Sequence, residues 1–241
     1  FSLIKNIKQF PHGGLFINMG IDIKNHNETI KNYIRAQESF NKKDVVQFLK
    51  THSYLFNFNK ENPFTNFNNT LGVIYIVRDP RNVVTSFSKY RGLTNKEMAD
   101  FMIKGSGDGL TWTNNWASNF HSWKLFKKHE RYLLIKYEDL INKRELIFLN
   151  ILNFIHKITK SKLVLDKVKF DNVIKTTSFK NMQKLEKEKG FSEAGINERT
   201  GEKVAFFNLG PKNDWRQSLD SAIIQKIENA FKKEMEELGY L

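Results

Sequence analysis

The chain has 241 residues, 40% of them hydrophobic, a formal net charge of +13 and no cysteine. That length and apolar content suit one large α/β domain with its own core, and the lack of cysteine excludes disulfides, thiolate metal sites and a cysteine nucleophile, in keeping with a cytoplasmic setting. No run of about 18 apolar residues occurs, so no membrane span is expected, and Phe1-Ser-Leu-Ile-Lys5 lacks the parts of a signal peptide.

The positive charge draws polyanions such as nucleic acid, acidic lipid or a multiply phosphorylated nucleotide. The same surplus also follows from a chain rich in Lys, Asn, Ile and Phe together. No zinc-finger spacing, ribonucleoprotein motif or isolated basic block is present, so no specific nucleic-acid partner is expected.

Taken in chain order, Gly13-Gly14 follows Pro11-His12 with no strand-like lead. Residues 46–51 read as a short strand after a charged, helix-like stretch. Residues 71–77 are apolar and β-branched, and read as a strand buried on both faces. Asp79-Pro80 is a helix start, because Asp caps and Pro fits the first turn; the helix runs over 81–91. The stretch 114–128 puts Trp116, Phe120 and Trp123 on one helical face. A third strand covers 132–137 and another helix 142–156. Residues 184–205 read as floppy. A long last helix, 219–238, ends at Gly239. Strands alternating with helices predict an α/β domain with a mostly parallel central sheet flanked by helices. Ligands in such sheets bind beyond the carboxyl ends of the strands, where Thr51-His52 and Arg78 fall.

Arg78 follows a strand and precedes a capped helix, with Ser86 two turns into that helix. A guanidinium and a hydroxyl so placed can share one phosphate; the plainer alternative is an ion pair with Asp79. His52, with Lys50 before it, can take a proton from a hydroxyl while the ammonium steadies charge on a transferring group. A structural strand-end histidine is the plainer alternative there.

Five motifs in order then resemble the sulfotransferases that use the activated-sulfate nucleotide PAPS. They are Lys50-Thr51-His52; Arg78-Asp-Pro-Arg-Asn-Val83 with Ser86; Tyr137-Glu-Asp139; Thr177-Ser-Phe179-Lys-Asn-Met182; and Phe206-Phe-Asn-Leu-Gly210-Pro-Lys-Asn-Asp214-Trp215-Arg216. The resemblance implies one sulfotransferase domain over 1–241 with a P-loop-like fold. It implies PAPS as donor and PAP as product. It makes His52 the general base, with Lys50 at the sulfonate. It gives the 3′-phosphate to Arg78 and Ser86. It gives the adenine to Tyr137, Thr177 and Phe179, with Gly210 and Trp215 in the closing loop. Residues 1–45, read as an acceptor-side helical segment, and 90–112 would wall a small-molecule or glycan hydroxyl acceptor.

Two departures set the remaining expectations. The family's phosphosulfate-binding loop, a Gly-containing strand-to-helix turn with Lys or Arg, is expected upstream of Phe1, so the domain reads as lacking its first strand and loop. The family's Arg-Lys-Gly reads Asn208-Leu209-Gly210 here, with Lys212, Arg199 or Arg216 as possible substitutes. Both departures keep open a non-catalytic nucleotide-binding or scaffold protein of the same fold.

Overall fold

The structure, a computed structural model, describes residues 7–40, 46–58, 60–108, 110–197 and 199–241. Its contacts divide the chain into two compact units, residues 1–73 with 104–132 and residues 74–103 with 133–241.

The first unit is built around aromatic rings. Strand Ile7–Gln9 pairs in parallel with Phe48–Lys50, Gln9 opposite Lys50. Among the described residues, three short helices lie between them in sequence: Gly13–Asn18, His26–Lys31 and Tyr33–Glu38. Asn25 caps the second by accepting the Glu28 N–H, as a short amide side chain does in a non-helical Ncap. Tyr33 is fully buried. It meets Phe56 and Phe64 with ring centroids 5.3 Å away, and Phe64 meets Phe10 at 5.5 Å and Trp123 at 5.9 Å. The tilted and edge-on angles are those that aromatic quadrupoles prefer. Burial raises the Tyr33 phenol above its usual range, so it stays protonated and donates to the Leu110 carbonyl at 2.6 Å. Helix Trp116–Trp123 buries Phe120 and Trp123 on the expected face, and Trp116 stacks on Phe120.

The second unit is mostly helical. The expected start at Asp79-Pro80 is present: the Asp79 carboxylate accepts the Arg81 N–H and helix Pro80–Arg91 follows. Further helices are Arg144–Thr159, Lys167–Thr176 and Phe179–Lys189. The last helix, Ser221–Leu238, buries Ile223, Ile227, Phe231, Met235 and Leu238 at helical spacing and stops at Gly239 with φ 65°. The stretch expected to be floppy, 184–205, carries regular elements among its described residues. It finishes one helix and then forms the antiparallel ribbon Gly195–Ile196 with Lys203–Val204, held where the Tyr90 hydroxyl donates to the Glu193 carbonyl.

Strand Val73–Val77 pairs with Tyr132–Lys136. These strands are not covered on both faces as their apolar runs suggest: Val77 is 3% exposed but Ile76 57%. Successive side chains of a strand point to opposite faces, and packing covers only one of them here.

Candidate functional site

In the second unit, strand Val73–Val77 delivers Arg78 at its carboxyl end. The guanidinium lies over the Tyr137 ring, 4.3 Å from its centroid. Its Nη2 donates to the Gly210 carbonyl at 3.2 Å. Its Nε is buried and has no hydrogen-bond partner among the described residues. Burial pulls this guanidinium below the usual arginine range, against the upward pull of Tyr137, Glu138 and Asp79. Beside it opens a pocket of about 110 Å³ lined by Arg78, Asn82, Tyr137, Glu138, Gly210 and Asn213 among others. A desolvated cation with an unused donor at a pocket wall is suited to an anion, which would restore the lost solvation with a charge-assisted hydrogen bond.

The loop that closes this pocket is held from two sides. Gln183 donates to the Phe207 and Asn208 carbonyls, and the Glu186 carboxylate accepts the Phe206 and Phe207 N–H groups. On the other side, the Asn213 side chain donates to the Asn82 carbonyl and accepts from the Thr85 hydroxyl. Gly210 sits at φ +49°, and a Cβ on it would lie 2.2 Å from the Phe179 ring. Glycine is therefore required both by the left-handed backbone and by the close ring. Further along, the Trp215 ring stacks between the Arg81 and Arg216 guanidiniums, at 4.1 and 4.5 Å. Arg81 is buried and fully engaged, with Asp79, with Glu228 and with the Tyr240 carbonyl.

Of the nucleotide residues expected from the sequence, Arg78, Tyr137 and Gly210 come together at the pocket, and Phe179 stands directly against Gly210. Ser86 is exposed on helix Pro80–Arg91. Thr177 is exposed and donates its hydroxyl to the Val173 carbonyl at 2.6 Å. Neither lines the pocket, and nor does Trp215. Of the candidate substitute cations, Arg199 is engaged with Glu97 at 2.7 Å, and Arg216 stacks on Trp215. Lys212 is exposed in the short turn Gly210–Lys212. Asn82, Glu138 and Asn213 were not singled out in the sequence, although all three sit inside quoted motifs. Asn213 carries no sequence signal beyond its place before Asp214-Trp215.

In the first unit, the parallel pair brings the carboxyl ends of two strands side by side, and the Phe10 N–H donates to the Lys50 carbonyl at 2.8 Å. Lys50 ends one strand. The other runs into Pro11-His12 and then helix Gly13–Asn18, with the His12 ring folded close to Gly14. The chain after Lys50 is pinned at its backbone: the His52 carbonyl accepts from Asn119 at 3.1 Å and the Ser53 carbonyl from Trp123 Nε1 at 3.0 Å. The His52 side chain is exposed. The expectation that no strand leads into Gly13-Gly14 is thus corrected. That strand is only Ile7-Lys8-Gln9, too short and too polar for an apolar run to mark it; its pairing with Phe48–Lys50 defines it.

Among the described residues no group of three or more metal-ligating side chains could hold a metal ion, and no helix is long and apolar enough to cross a membrane.

A family model described as the sulfotransferase domain matches residues 12–239. The 3-beta-hydroxysteroid sulfotransferase of Cavia porcellus is 26% identical over 179 residues, 72% of this chain and 59% of that protein. The amine sulfotransferase of Oryctolagus cuniculus is 24% identical over 70% of this chain and 56% of its own length. The chain thus spans under two thirds of the length of these curated relatives. Mouse sulfotransferase SULT7A1, solved in complex with PAP, superposes with a TM-score of 0.58 at 16% identity, over 95% of this chain and 83% of that one. Retinol dehydratase, solved with androsterone and inactive cofactor PAP, gives 0.59 at 18% identity, over 82% of this chain and 55% of its own. At such identities the superpositions speak for the fold, and the expected α/β sulfotransferase architecture is borne out.

Proposed function

Since the chain belongs to the sulfotransferase domain family, we propose that it transfers a sulfonate group from PAPS to a hydroxyl acceptor and releases PAP. The observation that carries this reading is the buried, unpartnered Nε of Arg78 at the pocket wall. An anion such as the nucleotide 3′-phosphate satisfies it. Tyr137 and Phe179 supply aromatic surface for the adenine, as rings commonly do for bases, and Gly210 lets the closing loop approach. Ser86, Thr177 and Trp215 join this set only if the loop or the Ser86 rotamer adjusts around the nucleotide.

At the strand ends of the other unit, His52 accepts the proton of the acceptor hydroxyl as its oxygen attacks sulfur. The bond from sulfur to the bridging phosphate oxygen breaks in line, and the electron pair leaves with PAP. Lys50 steadies the sulfonate oxygens, the positioning and charge stabilisation that group transfer of this kind requires. The turn Pro11–Gly14 is the chain's own candidate for the phosphosulfate loop, with His12 where the family carries Lys or Arg. Residues 1–241 then form one sulfotransferase domain. The curated steroid relative supports a small-molecule hydroxyl acceptor, and the cysteine-free composition supports a cytoplasmic setting.

The second reading, a nucleotide-binding protein without turnover, is favoured by Asn208-Leu209 and by His12 in place of a permanent cation. Two measurements on the full chain separate them. Calorimetry should find PAP bound about 1.5–3 kcal/mol more tightly than AMP; equal affinity removes the nucleotide assignment. His52→Ala should lower turnover by about two to four powers of ten while leaving PAP affinity nearly unchanged. Tight PAP binding with no turnover on any hydroxyl acceptor would favour the second reading.

A further inference from the structure

The loop that carries Gly210 has no cation at Asn208 or Leu209, yet its carbonyl holds Arg78. That carbonyl accepts two donors, Arg78 Nη2 at 3.2 Å and the backbone N–H of Asn213 at 3.1 Å. Asn213 is 6% exposed. Both ends of its amide are spent on a single helical turn: Oδ1 accepts from the Thr85 hydroxyl at 2.9 Å and Nδ2 donates to the Asn82 carbonyl at 2.9 Å. Residues three apart on a helix share a face, so one planar amide spans both. Asn82 adds a third tie, its Oδ1 accepting the Trp215 N–H at 3.0 Å. Thr85 is itself buried, which keeps water from competing for these bonds.

We infer that Asn213 is a positioning residue: its buried amide clasps the loop to helix Pro80–Arg91, and so fixes the Gly210 carbonyl that aims Arg78 into the pocket. The inference rests on the reading of that pocket as the nucleotide site. Arg78 has other places to go, because the Glu138 and Asp79 carboxylates both attract it. Held through Nη2 by a neutral carbonyl, the guanidinium keeps its charge and its Nε for an incoming anion. Released, it pairs with a carboxylate and loses anion affinity. The clasp would thus do by preorganisation what loop cations do by added charge.

The test measures PAP and AMP binding by calorimetry on the full chain, wild type against Asn213→Ala, Thr85→Val and the double variant, with hydrogen exchange over residues 206–215 in the ligand-free protein. The near-isosteric Thr85→Val breaks the clasp from the helix side and guards against a fold defect in Asn213→Ala. Each single variant should cut PAP affinity about tenfold and AMP affinity much less, so the preference for the 3′-phosphate shrinks. The double variant should be no worse than either, the mark of a shared interaction, and exchange over 206–215 should quicken. A purely structural role would weaken both ligands alike. Folded variants that keep the wild-type PAP-to-AMP ratio within twofold would overturn the inference while leaving the nucleotide site intact. A wild type that does not prefer PAP would overturn both readings.

Discussion

The two units hold their chemistry in place by different means. In residues 1–73 with 104–132, the core is a set of interlocked rings, and the chain just after Lys50 is fixed at its backbone, as where the Asn119 side chain donates to the His52 carbonyl. The His52 side chain is exposed and that of Lys50 half-exposed. In residues 74–103 with 133–241, the Arg78 guanidinium is half-buried with its Nε out of water, and the frame is a polar network of Asp79, Arg81, Glu228, Asn82 and Asn213. A base of the kind proposed at His52 meets its acceptor from solvent and tolerates exposure. A group that must recognise one charged ligand gains from desolvation, because a hydrogen bond to a charge strengthens as water is excluded.

The largest expected effect probes the two frames directly. Phe64→Ala should cost about 3–5 kcal/mol, the usual loss for a large ring removed from a packed core. Arg81→Ala should cost a similar amount, about 3–5 kcal/mol, for another reason: it leaves the Asp79 and Glu228 carboxylates without their cation. Urea unfolding of each variant measures both. The comparison sharpens with a second change. Glu228→Gln added to Arg81→Ala should recover part of the loss, since one uncompensated charge is gone. If Arg81→Ala costs under about 1 kcal/mol, the network is solvent-screened and the contrast between the units fails.

What the sequence disclosed divides along the same line. Asp79-Pro80 as a helix start and Gly239 as a helix end were legible because caps act locally. The stripe of Trp116, Phe120 and Trp123 was legible because helical period is a local property too. Strand Ile7–Gln9 was not legible: it exists through pairing with residues some forty positions away, and three residues hold too little pattern to announce it. That omission hid the turn Pro11–Gly14. Arg78, Tyr137 and Gly210 were legible from motif order and do meet at one pocket. The clasp at Asn213 was not, since a lone Asn in a loop gives no sign that both ends of its amide will find one helix turn.

A middle-sized effect compares two glycines. Gly210→Ala would set a methyl group against the Phe179 ring, at 2.2 Å, on a left-handed backbone. It should destabilise the protein by about 1–3 kcal/mol and weaken PAP binding about tenfold or more, as the loop withdraws from Arg78. Gly14→Ala in the other unit meets only the tip of the exposed His12 ring, at 3.1 Å, and should cost less than about 1 kcal/mol. Thermal melts and calorimetry on both variants test the pair. Equal costs would mean that the approach of Phe179 to Gly210 is not tight in solution.

The smallest expected effect concerns Arg199. With Asn208 and Leu209 in the loop, a phosphate site could draw its second cation from elsewhere, and Arg199 is one candidate by sequence. Its guanidinium is instead taken by Glu97, through both carboxylate oxygens at 2.9 and 2.7 Å. Glu97 also accepts from the Thr94 N–H and hydroxyl, at 2.7 Å each, which fixes the carboxylate at the start of helix Asn95–Lys104. These contacts, with the Arg199 pair adding to them, hold the Glu97 carboxyl below the usual carboxylate range. Both side chains are exposed, so the pair adds little to stability, but it keeps Arg199 engaged on the ribbon Gly195–Ile196 with Lys203–Val204. Arg199→Ala should therefore leave PAP affinity within about twofold of wild type, and the preference for PAP over AMP unchanged. A tenfold loss confined to PAP would show that Arg199 leaves Glu97 for the nucleotide. The second unit would then complete its anion site with a mobile surface cation, and the contrast drawn above between exposed and buried frames would no longer hold.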